Sequence, residues 1–370
     1  MAHHKAVFKA VVKKIVPDTL LGPLLRSSFV IRLRHYPFSG NAYYCKALHG
    51  DSNYDICINS DMTVSCNCWD YDGNGHIGAL NDQTLEQIFH GKVAQSFRRK
   101  LAKGWLPIPE CARCKELQLI NKRDADYYLM NYHVPQEGIM VENTAQCNLS
   151  CTHCDRDKIT KIRKKMSMSL EDMEKVAQAI RDSQIRTVFF LNLGDPFLSR
   201  TVFEEISIIR RHNPYVRIYT STNGLLLNSE EKREAALLMD HVFFSIDGAS
   251  QELVTKYQIG GNFERSYGNM KKLVDFRNSR NTLLPIIDWK YVVFSWNDGE
   301  DAIERAIELA KGAGVDFISF WRGIGSPSEM SQRFLHDPYF QRLGVRSWKG
   351  REIDFRNASD MNKSELKMRS

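Results

Sequence analysis

Two hydrophobic periodicities take turns along most of the chain. Strand-like apolar runs fall at residues 139–143, 187–193, 216–221, 241–246, 286–294 and 316–320, and stretches with a helical repeat lie between them. Leu170, Met173, Val176, Ala177 and Ile180 share one helical face behind Ser169, a side chain suited to an N-cap. In the last stretch Ile303, Ala306, Ile307 and Ala310 share a face, and Gly312 is expected to stop the helix. Alternation of this kind builds a parallel sheet. The expected fold class is α/β, a partial (β/α)6 TIM-like barrel of about three-quarters of an eight-fold ring, with a lateral opening.

Ahead of residue 138 the pattern breaks into short segments. Ile56 and Ile58 lead into Ser60-Asp61, and Val64 returns toward Cys66, which predicts a hairpin. A helix is expected over 84–102, closed by Gly104, after which Pro107 and Pro109 bring the chain to Cys111 and Cys114. Residues 5–16 place Val7, Phe8, Val11, Val12 and Ile15 on one helical face, and Pro17 ends it. That helix reads either as docked on its own domain or as lying in a membrane interface. The expected division is a basic segment at 1–36, a small cysteine-rich module at 37–125, the barrel at 138–325 and an extension at 326–370 with a polar tail from Asn357.

Composition narrows the function classes. At 370 residues and 43% hydrophobic, the chain can bury one large core or a medium core with a module. No apolar run approaches the roughly 18 residues of a membrane span, and no signal-like segment is legible, so a cytoplasmic protein is expected. Of the net charge of +7, residues 1–36 supply +6 through seven basic side chains against Asp18. The body is nearly neutral, which argues against a nucleic-acid binder and leaves peripheral membrane contact as the lesser reading of 5–16.

All nine cysteines, from Cys45 to Cys154, precede residue 155. Spacings of C-x-C, C-x2-C and C-x3-C-x2-C aim several thiolates at one centre, as soft-metal ligation requires. Cys147, Cys151 and Cys154 directly follow the first barrel strand. Three thiolates complete only three irons of a cubane and leave one iron open. With this spacing at a strand end, the chain resembles the radical S-adenosylmethionine (SAM) superfamily.

The resemblance implies a 4Fe-4S cluster on those three cysteines, SAM chelated to the open iron, and reductive cleavage of SAM to a 5'-deoxyadenosyl radical that abstracts a substrate hydrogen. His153 fills the position where that family has an aromatic side chain near the adenine. Leu193-Gly194-Asp195-Pro196 is similar to the family's Gly-Gly-Glu-Pro motif, which binds the SAM amino group. Ser221 and Asn223, then Ser245 and Asp247, stand at strand ends that in similar proteins approach the SAM carboxylate and ribose.

Residues from Ile58 through Cys66-Asn67-Cys68 to Cys111-Ala112-Arg113-Cys114 resemble the SPASM, or shortened twitch, auxiliary-cluster module, here ahead of the barrel. It implies a second, fully ligated 4Fe-4S cluster on Cys45, Cys68, Cys111 and Cys114, with Cys66 the rival to Cys68. A structural zinc site suits the same spacings, and Cys57 reads as a buried strand residue.

The basic run Arg156, Lys158, Lys161, Arg163, Lys164 and Lys165 reads as a solvated loop or as an anion-attracting rim. Trp321, Arg322 and Lys290 are candidates to meet a substrate; Cys57 and Cys66 are candidate thiol hydrogen donors. The leading expectation is radical dehydrogenation, epimerisation or deoxygenation of a small polar, anionic or sugar-like molecule, such as a nucleotide-linked or phosphorylated sugar, with a reductase such as flavodoxin or ferredoxin. The alternatives are peptide modification and a non-catalytic iron–sulfur sensor or electron relay.

Overall fold

The computed structural model describes residues 41–342 and the backbone of Arg346–Trp348 and Glu352–Asp354. The helix expected at 5–16 and the tail from 357 lie outside the described residues. The strands that position the site are β1 (Asn41–Cys45), β2 (Cys57–Ile58), β3 (Thr63–Ser65), β4 (His76–Ala79), β5 (Leu117–Asn121) and β6 (Ile139–Val141), followed by β7 (Thr187–Phe190), β8 (Arg217–Thr222), β9 (His241–Ser245), β10 (Ile286–Val293) and β11 (Phe317–Arg322).

The chain forms two compact units. Among the described residues, one comprises 41–52 with Leu85–Pro135; the other comprises Asn53–Thr84 with the described residues from Gln136 onward. In the first, β1 and β5 pair antiparallel with Cys45 opposite Leu117. Arg98 is buried there, donating to the Leu48 and Phe89 carbonyls at 2.8 and 2.7 Å. The helix expected over 84–102 is two helices, Leu85–Phe89 and Lys92–Ala102. Gly91 separates them in extended conformation, where a Cβ would lie 2.9 Å from the Ile88 carbonyl oxygen.

The second unit is built on a nine-stranded sheet in the order β11-β10-β9-β8-β7-β6-β2-β3-β4. β6 to β11 are parallel, which is the expected open barrel wall. β2 adds to β6 in parallel and continues into antiparallel β3 and β4, so the expected hairpin extends the barrel sheet itself. The helix Leu170–Asp182 begins at Ser169, whose hydroxyl accepts from Asp172 N–H while the Asp172 carboxylate accepts from Ser169 N–H. The helix Glu300–Ala313 runs past Gly312 and stops at Gly314 instead, the residue with left-handed φ of 70°. No helix among the described residues is long and apolar enough to cross a membrane.

Strand alternation separates two faces. Val188, Phe190, Ile218, Val242, Phe244, Ile287, Trp289, Tyr291, Val293, Ile318 and Phe320 are fully buried on one, the face that meets the helices' apolar stripes. The inner face is mixed. One registered row runs Cys57, Met140, Phe189, Tyr219, His241, and another runs Ser245, Lys290, Ser319.

Candidate functional site

The loop carrying Cys147, Cys151 and Cys154 leaves the C-terminal end of β6 and is closed at its neck. Ala145 N–H donates to the Met166 carbonyl and Met168 N–H to the Asn143 carbonyl, both at 2.8 Å. Arg163, buried, donates to Glu142 at 2.8 Å and to Asn59 at 2.8 Å, which fixes the two chain ends across the neck. Further out, Ser150 N–H and Thr152 N–H donate to the Ile259 and Tyr257 carbonyls. A loop of this length would otherwise be mobile; these bonds hold its cysteines together before any ligand arrives.

The three thiols are half-buried and within electrostatic reach of one another. Burial pushes all three above the usual thiol range, Cys151 to about 12, with Asp247 and the other thiols adding to the rise. Iron in place of the proton removes that penalty, because the charge of the thiolate is then met by the metal. Leu149 N–H lies 3.4 Å from the Cys147 sulfur, and Asn223 Nδ2 lies 3.8 Å from it. Among the described residues no three His, Cys, Asp or Glu side chains converge on a single metal ion. A cubane asks for something else, one thiolate on each of three irons, and this loop fits that donor set.

The loop after β7 presses on the cysteine loop. Asp195 N–H donates to the Gln146 carbonyl at 2.9 Å. A Cβ on Gly194 would stand 2.0 Å from the Thr144 carbonyl oxygen and 2.9 Å from that of Gln146, so only glycine fits. The Asp195 carboxylate is buried and already engaged: it accepts from Phe197 N–H at 3.0 Å, Asn223 N–H at 2.9 Å and the Thr222 hydroxyl at 2.9 Å. Burial raises its carboxyl against those bonds and Lys232. Asp195 therefore joins the ends of β7 and β8, and Asn223 passes the link to Asn148 of the cysteine loop through a 2.9 Å bond.

The remaining residues singled out from the sequence divide between this mouth and the inner face. Ser221 and Ser245 face each other at 3.2 Å, with Lys290 in register beside Ser245 and its Nζ 4.6 Å from the Trp321 ring centroid. Asp247 is buried, accepts from Val292 N–H at 2.9 Å, and is pushed by burial to about 7. His153 sits 3.1 Å from Glu329 and beside the Tyr257 ring. Alternation along β11 puts Arg322 on the face opposite Trp321, away from the inner row. Cys57 is fully buried on the inner row with Cys68 and Met140, its sulfur 3.7 Å from Asn192 Nδ2. Sequence reasoning missed Gln258, which accepts from Asp247 N–H and donates to the Ser245 carbonyl; a lone glutamine after a helix gives no signal.

In the first unit the β1–β5 register carries Cys45 toward the Cys111–Cys114 turn. Cys114 N–H bonds the Cys111 carbonyl and Leu117 N–H bonds the Cys114 carbonyl. Burial raises the Cys45 thiol, and the Cys114 and Cys111 thiols, within electrostatic reach, raise it further. Cys66, at the end of β3, and Cys68 are buried in the other unit.

Two family models match the chain. Residues 141–288 match the radical SAM superfamily model, and residues 39–115 match the SPASM iron–sulfur cluster-binding domain model. The chain is 31% identical over 124 residues to a probable GTP 3',8-cyclase of Methanothermobacter marburgensis, covering 33% of this chain and 39% of the relative. It is 32% identical over 121 residues to the FeMo cofactor biosynthesis protein NifB of Klebsiella pneumoniae, covering 30% and 25%. A probable GTP 3',8-cyclase of Methanococcus maripaludis matches at 26% over 132 residues, 36% and 43%. The matched stretch thus spans less than half of each of these relatives. Among solved structures, native anSMEcpe with bound AdoMet is similar over 52% of this chain and 56% of that one, at 17% identity and a TM-score of 0.41.

Proposed function

Because this chain is a radical SAM superfamily member that carries its SPASM iron–sulfur domain ahead of the barrel, we propose that Cys147, Cys151 and Cys154 hold the cluster that binds and cleaves SAM. When bound, the reduced cluster supplies the electron that splits SAM into methionine and a 5'-deoxyadenosyl radical. The chain's own residues then hold and orient. Gly194 and Asp195 keep the SAM-side turn against the cysteine loop, and Asn223 ties that turn to Asn148. Ser221, Ser245 and Asp247 offer polar groups at the mouth.

The substrate is a small polar molecule with an anionic group, such as a nucleotide-linked or phosphorylated sugar. The observation that carries this reading is Lys290, a cation on the inner face between Ser245 and Ser319 and over the Trp321 ring. A flat or anionic group entering from the cluster side meets that lysine and an aromatic wall of Phe189, Tyr219 and Phe243. The GTP named in two of the relatives is a molecule of the same class. The reaction is hydrogen abstraction followed by dehydrogenation, epimerisation or deoxygenation, in the cytoplasm, with flavodoxin or ferredoxin as the electron source.

The test is turnover of carbon-deuterated nucleotide sugars and sugar phosphates by reduced, reconstituted protein. Deuterium should appear in 5'-deoxyadenosine, and Lys290→Met should raise KM by roughly tenfold to a hundredfold, the loss of one charge-assisted bond. Deuterium transfer with an unchanged KM in Lys290→Met would remove the anionic anchor from the account.

The SPASM domain implies an auxiliary cluster, and we assign Cys45, Cys111 and Cys114 among its ligands. Replacing Cys111 and Cys114 by alanine should halve the iron, from about eight to about four per chain, since each cubane holds four. SAM cleavage should persist, because a cluster with a full set of protein ligands leaves no iron open for SAM. Metal analysis that finds stoichiometric zinc in the parent protein would replace the auxiliary cluster with a structural ion.

A further inference from the structure

Arg156 looks in the sequence like one cation in a run, but the structure separates it from its neighbours. Arg163 is buried against Glu142, Lys165 pairs with Asp172, and Lys158 pairs with Asp155 at 2.5 Å. Arg156 turns back over the cysteine loop. Its Nη1 donates to the Cys147 carbonyl at 2.8 Å, and its own backbone stands two residues after Cys154. One residue thus links both ends of the ligand set. Its side chain is only 19% exposed, while the carboxylate it meets, Asp157 at 3.5 Å, is 86% exposed and well screened by water.

The guanidinium thus lies half-buried against the backbone of the loop that bears all three cysteines. A cluster gains negative charge when it is reduced, and a fixed cation close by in half-buried surroundings favours that state. We infer that Arg156 is a positioning residue that ties the two ends of the cysteine loop and raises the reduction potential of the cluster held there. The inference rests on the assignment of that cluster to Cys147, Cys151 and Cys154. It gives the electron-accepting step a control that lies outside the SAM and substrate contacts.

The test uses the full chain, reconstituted, as Arg156→Gln and Arg156→Lys. Each is titrated against redox mediators while the electron paramagnetic resonance signal that SAM perturbs is followed. Arg156→Gln should load as much iron and sulfide as the parent, yet show a reduced-to-oxidised ratio about tenfold lower at a fixed potential, about 59 mV for one electron. Arg156→Lys, which keeps the charge, should keep the parent's ratio. An unchanged ratio in Arg156→Gln, or an equal fall in both variants, overturns the inference. So does loss of the cluster from Arg156→Gln, whatever the lysine variant does, since the side chain would then only hold the loop. A SAM-perturbed signal that survives replacement of the three cysteines would remove the site assignment instead, which is a separate failure.

Discussion

Replacing Cys147, Cys151 and Cys154 together by alanine should abolish SAM cleavage and lower iron from about eight to about four per chain, the content of one remaining cubane. The loop that carries them is held at its neck by the 142–163 ion pair and the two backbone bonds to Met166 and from Met168. None of those contacts involves a thiol, so the variant should keep its fold. What it loses is three soft ligands whose proton affinity burial has already raised, and alanine offers iron nothing in their place. Circular dichroism unchanged from the parent, with iron and sulfide halved, is the expected pair of readings. Full iron content in the triple variant would move the cluster elsewhere.

Gly194→Ala should damage the same site without touching a ligand. The new methyl would meet two backbone oxygens, Thr144 O at 2.0 Å and Gln146 O at 2.9 Å, and backbone cannot swing aside as a flexible side chain can. Overpacking of this kind costs about 1–3 kcal/mol, roughly a fivefold to 150-fold fall in the equilibrium constant for the loop conformation that holds the cysteines in place. Iron at the radical site and SAM cleavage should fall together. Gly268→Ala is the control: a Cβ there meets nothing within 4 Å, and helix propensity favours it. If Gly194→Ala loads its cluster as fully as Gly268→Ala, the turn and the cysteine loop are not coupled as described.

The sequence told most about what is local. Six strand positions and the N-cap at Ser169 depend on near neighbours, and they stand where the residue pattern put them. Strand ends also marked the mouth of the site, because a parallel barrel gathers its loops at one end. Pairing between distant segments was not legible. β2 is two residues long, and only its hydrogen bonds to β6 reveal that it extends the barrel sheet and brings Cys57 onto the inner row. Gly194 was visible as part of a motif, but the oxygen that forbids a side chain there belongs to Thr144. The basic run looked uniform for the same reason: what distinguishes Arg156 from Arg163 is which distant carbonyl or carboxylate each one meets. Helix ends misled where two glycines compete, since Gly312 and Gly314 look alike until φ is known.

The central claim is that this chain cleaves SAM at a cluster on the loop after β6. The most direct measurement is 5'-deoxyadenosine formed when anaerobically reconstituted protein, reduced to the point that its clusters lose their oxidised absorbance, is incubated with SAM. The account predicts 5'-deoxyadenosine and methionine in equal amounts from the parent protein and from the Cys111/Cys114 double variant, and none from the Cys147/Cys151/Cys154 triple variant. Intact SAM after incubation with the fully loaded, fully reduced parent would contradict it.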